Sequence, residues 1–213
     1  MFINRQDAAL QLAQRLKKYE YRNTVVLGIP RGGVVVASVL AHELKGDLDI
    51  ILTRKLRTPG NPELAMGSVD ESGNLHLNLP LITMLGITDD IIEEEKAQQL
   101  EVIRARSTAY RRIRQKIPME GRIVIVTDDG IATGATMRAA LHSARAQNPK
   151  KLVAALPVGP PEQVAELEPL ADEMVCLATP ADFMAVGQFY ESFEQVEDET
   201  VERILNEFAR TPT

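Results

Sequence analysis

Apolar positions along the chain follow two periods, and where the period changes the chain changes element. Residues 5–19 place Ala8, Ala9, Leu12, Ala13 and Leu16 at helical spacing, which predicts an amphipathic helix with one buried face. Residues 24–29 form a short run suited to a strand. An apolar helix over 34–44 follows it, after the turn Pro30-Arg31-Gly32-Gly33. A strand is predicted over 48–53, ending in Arg54-Lys55-Leu56-Arg57. Two prolines and a glycine make residues 58–62 unsuitable for regular structure, and two short strands, 65–69 and 75–79, flank Asp70-Glu71-Ser72-Gly73 as a hairpin. The long helix over 88–113 has Thr88 as N-cap, acids in its first turns and Arg104, Arg106, Arg111, Arg112 and Arg114 towards its end. The helix macrodipole favours that order, so no site is assigned there. The remainder reads as a strand from Ile123, a helix over 137–147, a strand over 152–156, a helix over 163–170 and a strand over 173–177.

Strands alternating with helices predict an α/β domain, a mostly parallel twisted sheet covered by helices on both faces, with ligand loops at the carboxyl ends of its strands. A length of 213 residues allows one such domain with a small accessory lobe. The composition is 45% hydrophobic and 25% charged, which is ordinary for a globular chain. A net charge of −6 argues against a nucleic-acid surface, and no apolar run approaches the ~20 residues of a membrane helix. Cys176 has no partner for an internal disulfide and lies in an apolar stretch. With no secretion pattern at the N-terminus, a cytoplasmic protein is expected.

The candidate chemistry centres on Ile123 to Thr136. Four consecutive apolar residues rich in β-branching describe a strand buried on both faces, and Asp128 and Asp129 follow at its carboxyl end. Then comes Gly130-Ile131-Ala132-Thr133-Gly134-Ala135-Thr136, a small-residue loop that opens a helix and gathers backbone N–H groups as a phosphate site would. The acids would repel phosphate, but they suit sugar hydroxyls or a metal-bearing ligand beside it. A ribose 5-phosphate has both parts. The turn at Arg31, Gly32 and Gly33 is a second strand, Gly-rich turn and helix unit, able to hold a second anion.

The segment Asp128-Asp129-Gly130-Ile131-Ala132-Thr133-Gly134-Ala135-Thr136 resembles the phosphoribosyl pyrophosphate (PRPP) signature of the type I phosphoribosyltransferases, and Gly28 to Gly33 resembles their pyrophosphate loop. The resemblance implies the fold of that family over residues 1–213, with a hood from the N- and C-terminal segments and a mobile loop near residues 54–79. It implies a Mg²⁺-dependent transfer of the phosphoribosyl group from PRPP to a small nitrogenous acceptor, and a place in nucleotide metabolism. Asp128 and Asp129 would face the ribose hydroxyls, directly or through the metal. Ala132, Thr133, Gly134, Ala135 and Thr136 would cradle the 5-phosphate, and Arg31, Gly32, Gly33, Arg54 and Lys55 would hold pyrophosphate, with Lys55 counted among the catalytic groups.

Some family members that use 6-oxopurines carry an acid where this chain has Ala132, which leaves the acceptor's proton without an assigned receiver. Pyrimidines, adenine or another amine stay open as acceptors. Of the aromatic cluster Phe183, Phe189, Tyr190 and Phe193, we expect Phe183 and Tyr190 as candidates to stack on a flat base; the same rings would also serve as hood core or as an oligomer contact. The alternative reading is a regulator that binds PRPP and transfers nothing.

Overall fold

The computed structural model describes residues 1–210; the domain expected over 1–213 includes three further residues outside the described ones. Helix α1 (Arg5–Leu16) starts at Asn4, whose side chain accepts from the Asp7 amide, and passes through a 3₁₀ turn into β1 (Thr24–Gly28). Then come α2 (Gly32–Leu44) and β2 (Asp47–Ile50). The second half carries β6 (Ile123–Thr127), α5 (Ala135–Arg145), β7 (Lys151–Val158), α6 (Pro161–Leu167) and β8 (Glu173–Ala178). These five strands form one all-parallel sheet in the order β2-β1-β6-β7-β8. The expected α/β architecture is therefore present, with β6 at its centre.

The pleat sorts the core into two layers. Val26, Ile125 and Val153, paired across β1, β6 and β7, point to the face covered by α1 and α2. Val25, Leu27, Val124, Val126 and Leu156 point to the opposite face, against Met137, Leu141 and Ala144 of α5 and Leu167 of α6. Burial on both faces explains why these strands read as continuous apolar runs.

Between β2 and β6 the chain builds a second, three-stranded antiparallel sheet of β3 (Thr53–Thr58), β4 (Asn61–Asp70) and β5 (Leu75–Leu77). The strand expected over 48–53 stops at Ile50, and the basic run that was to follow it as a loop is itself β3. Residues 58–62, expected to be irregular, supply the end of β3, a tight turn at Pro59-Gly60 and the start of β4. The hairpin around Asp70 is as expected: Asp70 accepts from the Ser72 and Asn74 amides, and Gly73 takes φ 84°. This sheet lies within the stretch expected as a mobile loop, and its inner side chains Leu56, Met66 and Val69 are buried.

Two helices absent from the sequence reading complete the chain: α3 (Leu79–Leu85), and α7 (Asp198–Arg210), which lays Val201, Ile204 and Leu205 on the core. The long helix α4 (Asp89–Ile113) begins after Thr88, whose side chain caps no amide. Its far end is anchored by Arg111, which pairs with the fully buried Asp49 of β2 at 2.5 Å and with Glu71 at 3.1 Å. Among the described residues no helix is long and apolar enough to cross a membrane.

Candidate active site

The site is assembled where two neighbouring strand ends meet. β6 ends in Asp128 and Asp129, and β1, its neighbour, ends one turn before Gly32 and Gly33 open α2. The two units lie against each other so closely that side chains are excluded. A Cβ at Gly33 would stand 2.9 Å from the Asp128 Cα, and one at Gly32 would stand 1.9 Å from Asp129 Oδ2. Here glycine is required for close approach, in addition to any freedom of backbone angle. The two anion-loop motifs are therefore in contact in space.

Asp129 is clasped from three directions. Arg5 of α1 donates from Nε to Asp129 Oδ2 at 2.7 Å, and Tyr190 donates its hydroxyl to the Asp129 carbonyl at 2.6 Å. The Asp129 amide donates to Asp128 Oδ1 at 2.9 Å. Burial, and then the neighbouring Asp129 charge, push the Asp128 carboxyl well above the usual carboxylate range. Burial also raises Asp129, against the opposing pull of Arg5. Two adjacent acids in a partly enclosed place hold charge reluctantly, so a ligand that brings hydroxyl donors or positive charge relieves them.

The loop after the acids turns through Gly130 at φ 152° and Gly134 at φ 68°. Ile131 is buried and its amide bonds the Val158 carbonyl, which pins the loop to β7. Ala132, Thr133 and Thr136 are exposed, and α5 starts at Ala135 with no side-chain cap on its first turn. An uncapped N-terminus of an 11-residue helix, reached through a left-handed glycine, presents amides outward as a phosphate cradle requires.

Besides a cavity that Thr133 and Ala135 share with Arg138, His76 and His142, two clefts flank this motif. One, of about 250 Å³, lies between β3 and α4 and reaches Pro30 and Thr136; Arg54, Lys55, Arg57 and Arg106 line it. Arg54 and Lys55 thus line a cleft together with Pro30 and Thr136, from a strand of the second sheet. The other cleft is bounded by Arg5, Arg31, Asp129, Val186 and Phe193. Arg31 belongs to this second cleft and pairs there with Glu197 at 3.1 Å, so it stands apart from Arg54 and Lys55.

The aromatic expectation needs correction. Tyr190 is 6% exposed, stacked on Phe193 at 4.9 Å and tilted against Phe2 at 5.3 Å. With its hydroxyl satisfied by the Asp129 carbonyl, it is a core residue holding the motif in place, and its ring is covered. Phe183 packs on Phe189 at 5.1 Å. It is Phe193 that reaches the cleft, with the Arg5 guanidinium 3.8 Å over its ring. Arg5, Gln99 and Arg106 were not singled out from the sequence. Arg5 lies 124 positions from Asp129, and no local pattern marks such a pair.

Among the described residues there is no cluster of three or more His, Cys, Asp or Glu able to hold a metal ion. Cys176 is partly buried, and burial pushes its thiol up to about 11, which suits a structural residue.

A family model described as the phosphoribosyl transferase domain matches residues 4–192. Two Mycobacterium tuberculosis proteins, named provisionally as phosphoribosyl transferases, are 45% identical over 206 residues. The match covers 97% of this chain and 46% of theirs, so the chain spans about half the length of these curated relatives. A crystal structure from Thermus thermophilus superposes with a TM-score of 0.89 at 45% identity, covering 97% of this chain and 98% of that one. A purine phosphoribosyltransferase from Pyrococcus horikoshii has a TM-score of 0.50 at 17% identity over 91% of this chain and 93% of its own, a likeness of fold alone.

Proposed function

Because the chain belongs to the phosphoribosyl transferase domain family, we propose that it transfers the 5-phosphoribosyl group of PRPP to a nitrogenous base or related amine, releasing pyrophosphate. The observation that carries this reading is a juxtaposition: two acids at the end of β6, an uncapped helix N-terminus just after them, and four cations lining the cleft that reaches Thr136 of that helix. The amides from Ala132 to Thr136 would take the 5-phosphate, Asp128 and Asp129 the ribose hydroxyls, and Arg54 and Lys55 the pyrophosphate.

In the transfer the bond from the anomeric carbon to pyrophosphate breaks, its electrons leave with the pyrophosphate, and the acceptor nitrogen forms the new bond and gives up a proton. The chain's part is charge placement. Cations lower the energy of the leaving group, and the carboxylates favour the positive charge that develops on the ribose ring. The loop supplies no group for the proton, since Ala132 stands where an acid would be needed.

Asp128 and Asp129 fit Mg²⁺ that arrives coordinated to PRPP and reaches them through the ribose hydroxyls or water. A resident ion would need more oxygen ligands than the pair offers, and Arg5 already holds Asp129 Oδ2. When bound with the ligand, the ion would neutralise charge on the departing pyrophosphate.

The second reading, a PRPP-binding regulator, is favoured by that same Arg5 pair, because an internal counterion already satisfies part of the acidic motif. Incubation with PRPP, Mg²⁺ and a panel of bases, following pyrophosphate release, separates the two. Release with one acceptor supports the transferase; tight PRPP binding with no release across the panel supports the regulator. Gly134→Val serves as the control. A β-branched side chain at φ 68° is strained and its Cβ would press on Leu167 of α6 at 3.3 Å, which displaces the loop, so PRPP affinity is expected to collapse while the fold persists. Binding undiminished in that variant would refute the phosphate-loop assignment.

A further inference from the structure

Helix α4 presents Glu95, Gln99, Ile103 and Arg106 at spacings of four, four and three residues, so all four lie along one face, and that face is turned to β3. Ile103 is 2% exposed and fixes the helix against the core. Above it Gln99, also 2% exposed, accepts from Arg54 Nε at 3.0 Å and donates to Glu95 at 2.9 Å. Glu95 in turn accepts from Arg57 Nε at 2.8 Å and from the Arg57 amide at 3.0 Å. The basic strand is thus held by a relay of polar side chains from α4. Of the arginines further along, Arg111 is engaged with Asp49 and Glu71, Arg114 with the Leu48 and Phe208 carbonyls, and Arg112 is exposed.

Arg106 differs. It is half-buried, it lines the same cleft, and it enters no ion pair among the described residues. Its charge stands close enough to Arg54 to oppose that guanidinium, as do burial, the larger effect, and Arg57. Like charges gathered around about 250 Å³ of space oppose one another in the free protein, and a compact multivalent anion removes the opposition. The cleft also touches Pro30 and Thr136, which belong to the two anion loops, so an anion lying there is continuous with a ligand on the motif.

We propose that α4 forms the second wall of this cleft, with Arg106 as a binding residue for the pyrophosphate end of the ligand and Gln99 and Glu95 as positioning residues for Arg54 and Arg57. The proposal rests on the phosphoribosyl reading and adds to it a helix whose charges the macrodipole alone had seemed to explain.

The test is calorimetric titration of the full chain with two probes, inorganic pyrophosphate and ribose 5-phosphate, which separate the cleft from the phosphate loop. Arg106→Gln is expected to weaken pyrophosphate about tenfold or more, the size of one lost charge-assisted hydrogen bond, with ribose 5-phosphate unchanged. Arg104→Gln removes the same charge from an exposed position of the helix and is expected to alter pyrophosphate binding less than about twofold, as screening at the surface predicts. Gln99→Leu should weaken pyrophosphate selectively too; a purely structural role would move both probes together. If Arg106→Gln loses the native circular dichroism spectrum, Arg106→Met keeps the aliphatic stem packed and replaces it with the same two outcomes. Equal pyrophosphate affinity in the Arg106 and Arg104 variants overturns the proposal. So does a parent that binds ribose 5-phosphate but no pyrophosphate, which leaves the phosphate loop standing. A parent that binds neither probe nor PRPP refutes the phosphoribosyl reading itself.

Discussion

Asp129 is held through its side chain, its carbonyl and its amide, and the partners make measurable claims. The side chains of Arg5 and Asp129 are 11% and 15% exposed, so removing one leaves the other poorly hydrated. Arg5→Gln is expected to cost about 1–3 kcal/mol by urea denaturation, the range for an unsatisfied polar group. Adding Asp129→Asn should recover part of that loss, because the two act as a unit; additive losses would show that the pair is not coupled. Gly32→Ala tests the same spot from below. Its new Cβ would overlap Asp129 Oδ2, so destabilisation of about 1–3 kcal/mol is expected together with weaker PRPP binding. A variant with parental stability and affinity would remove the steric reason for that glycine. At this scale the motif itself was legible, because Asp128 to Thr136 is contiguous and its chemistry is local. Arg5 was not, since a helix pattern reports which face is buried and is silent on which distant carboxylate its arginine meets.

Elements were legible where one period ran uninterrupted. β1, β6 and β7 are apolar on both faces, and α1 and α2 keep helical spacing, so all five were read at nearly their true bounds. β3 was missed because only Leu56 and Thr58 of its six residues are buried; cations at Arg54, Lys55 and Arg57 hide the alternation. α7 carries Val201, Ile204, Leu205 and Phe208 at i, i+3, i+4 and i+7, a helical signal the sequence does contain just after the aromatic cluster. The joint between α5 and the second sheet makes a prediction of its own. His142 of α5 stacks on His76 of β5 at 4.9 Å, 17° from parallel. Burial, then His76 and Arg138, hold the His142 pKa below its ordinary value of 6.5. Below that pH the unfolded chain takes up a proton at His142 more readily than the folded one, so stability rises with pH through this window and falls as pH drops from 6.5 towards the folded-state value. His142→Asn should flatten this slope in denaturation midpoints measured from pH 7 to pH 5. An unchanged slope would assign the pH dependence to other groups.

The molecule as a whole uses both ends of the chain to hold one site in its middle. Alternation of strand and helix announced the α/β class, but the order β2-β1-β6-β7-β8 depends on which apolar faces meet, and adjacency of that kind has no local mark. The consequence is a candidate site built from segments far apart: Arg5 near the start, Lys55 on the inserted sheet, the proposed Arg106 on α4, Asp129 at the central strand and Tyr190 near the end. Phe2 pairs with Tyr190 as an isolated parallel bridge, so the N- and C-terminal segments are tied to each other as well as to Asp129. A ligand that needs all these segments in place binds the folded state alone, and its binding energy adds to the stability of the entire unit. At a free concentration of one hundred times Kd that addition is about 2.7 kcal/mol. For a domain of this size each kcal/mol moves Tm by roughly 2–4 °C, so Mg²⁺ with PRPP is expected to raise Tm by roughly 5–11 °C in one unsplit transition. Differential scanning calorimetry reads the result directly. A shift of that size that disappears in Gly134→Val would tie the stabilisation to the loop; a transition that divides, with the terminal segments melting first and unmoved by ligand, would show that the clasp on Asp129 is separate from binding.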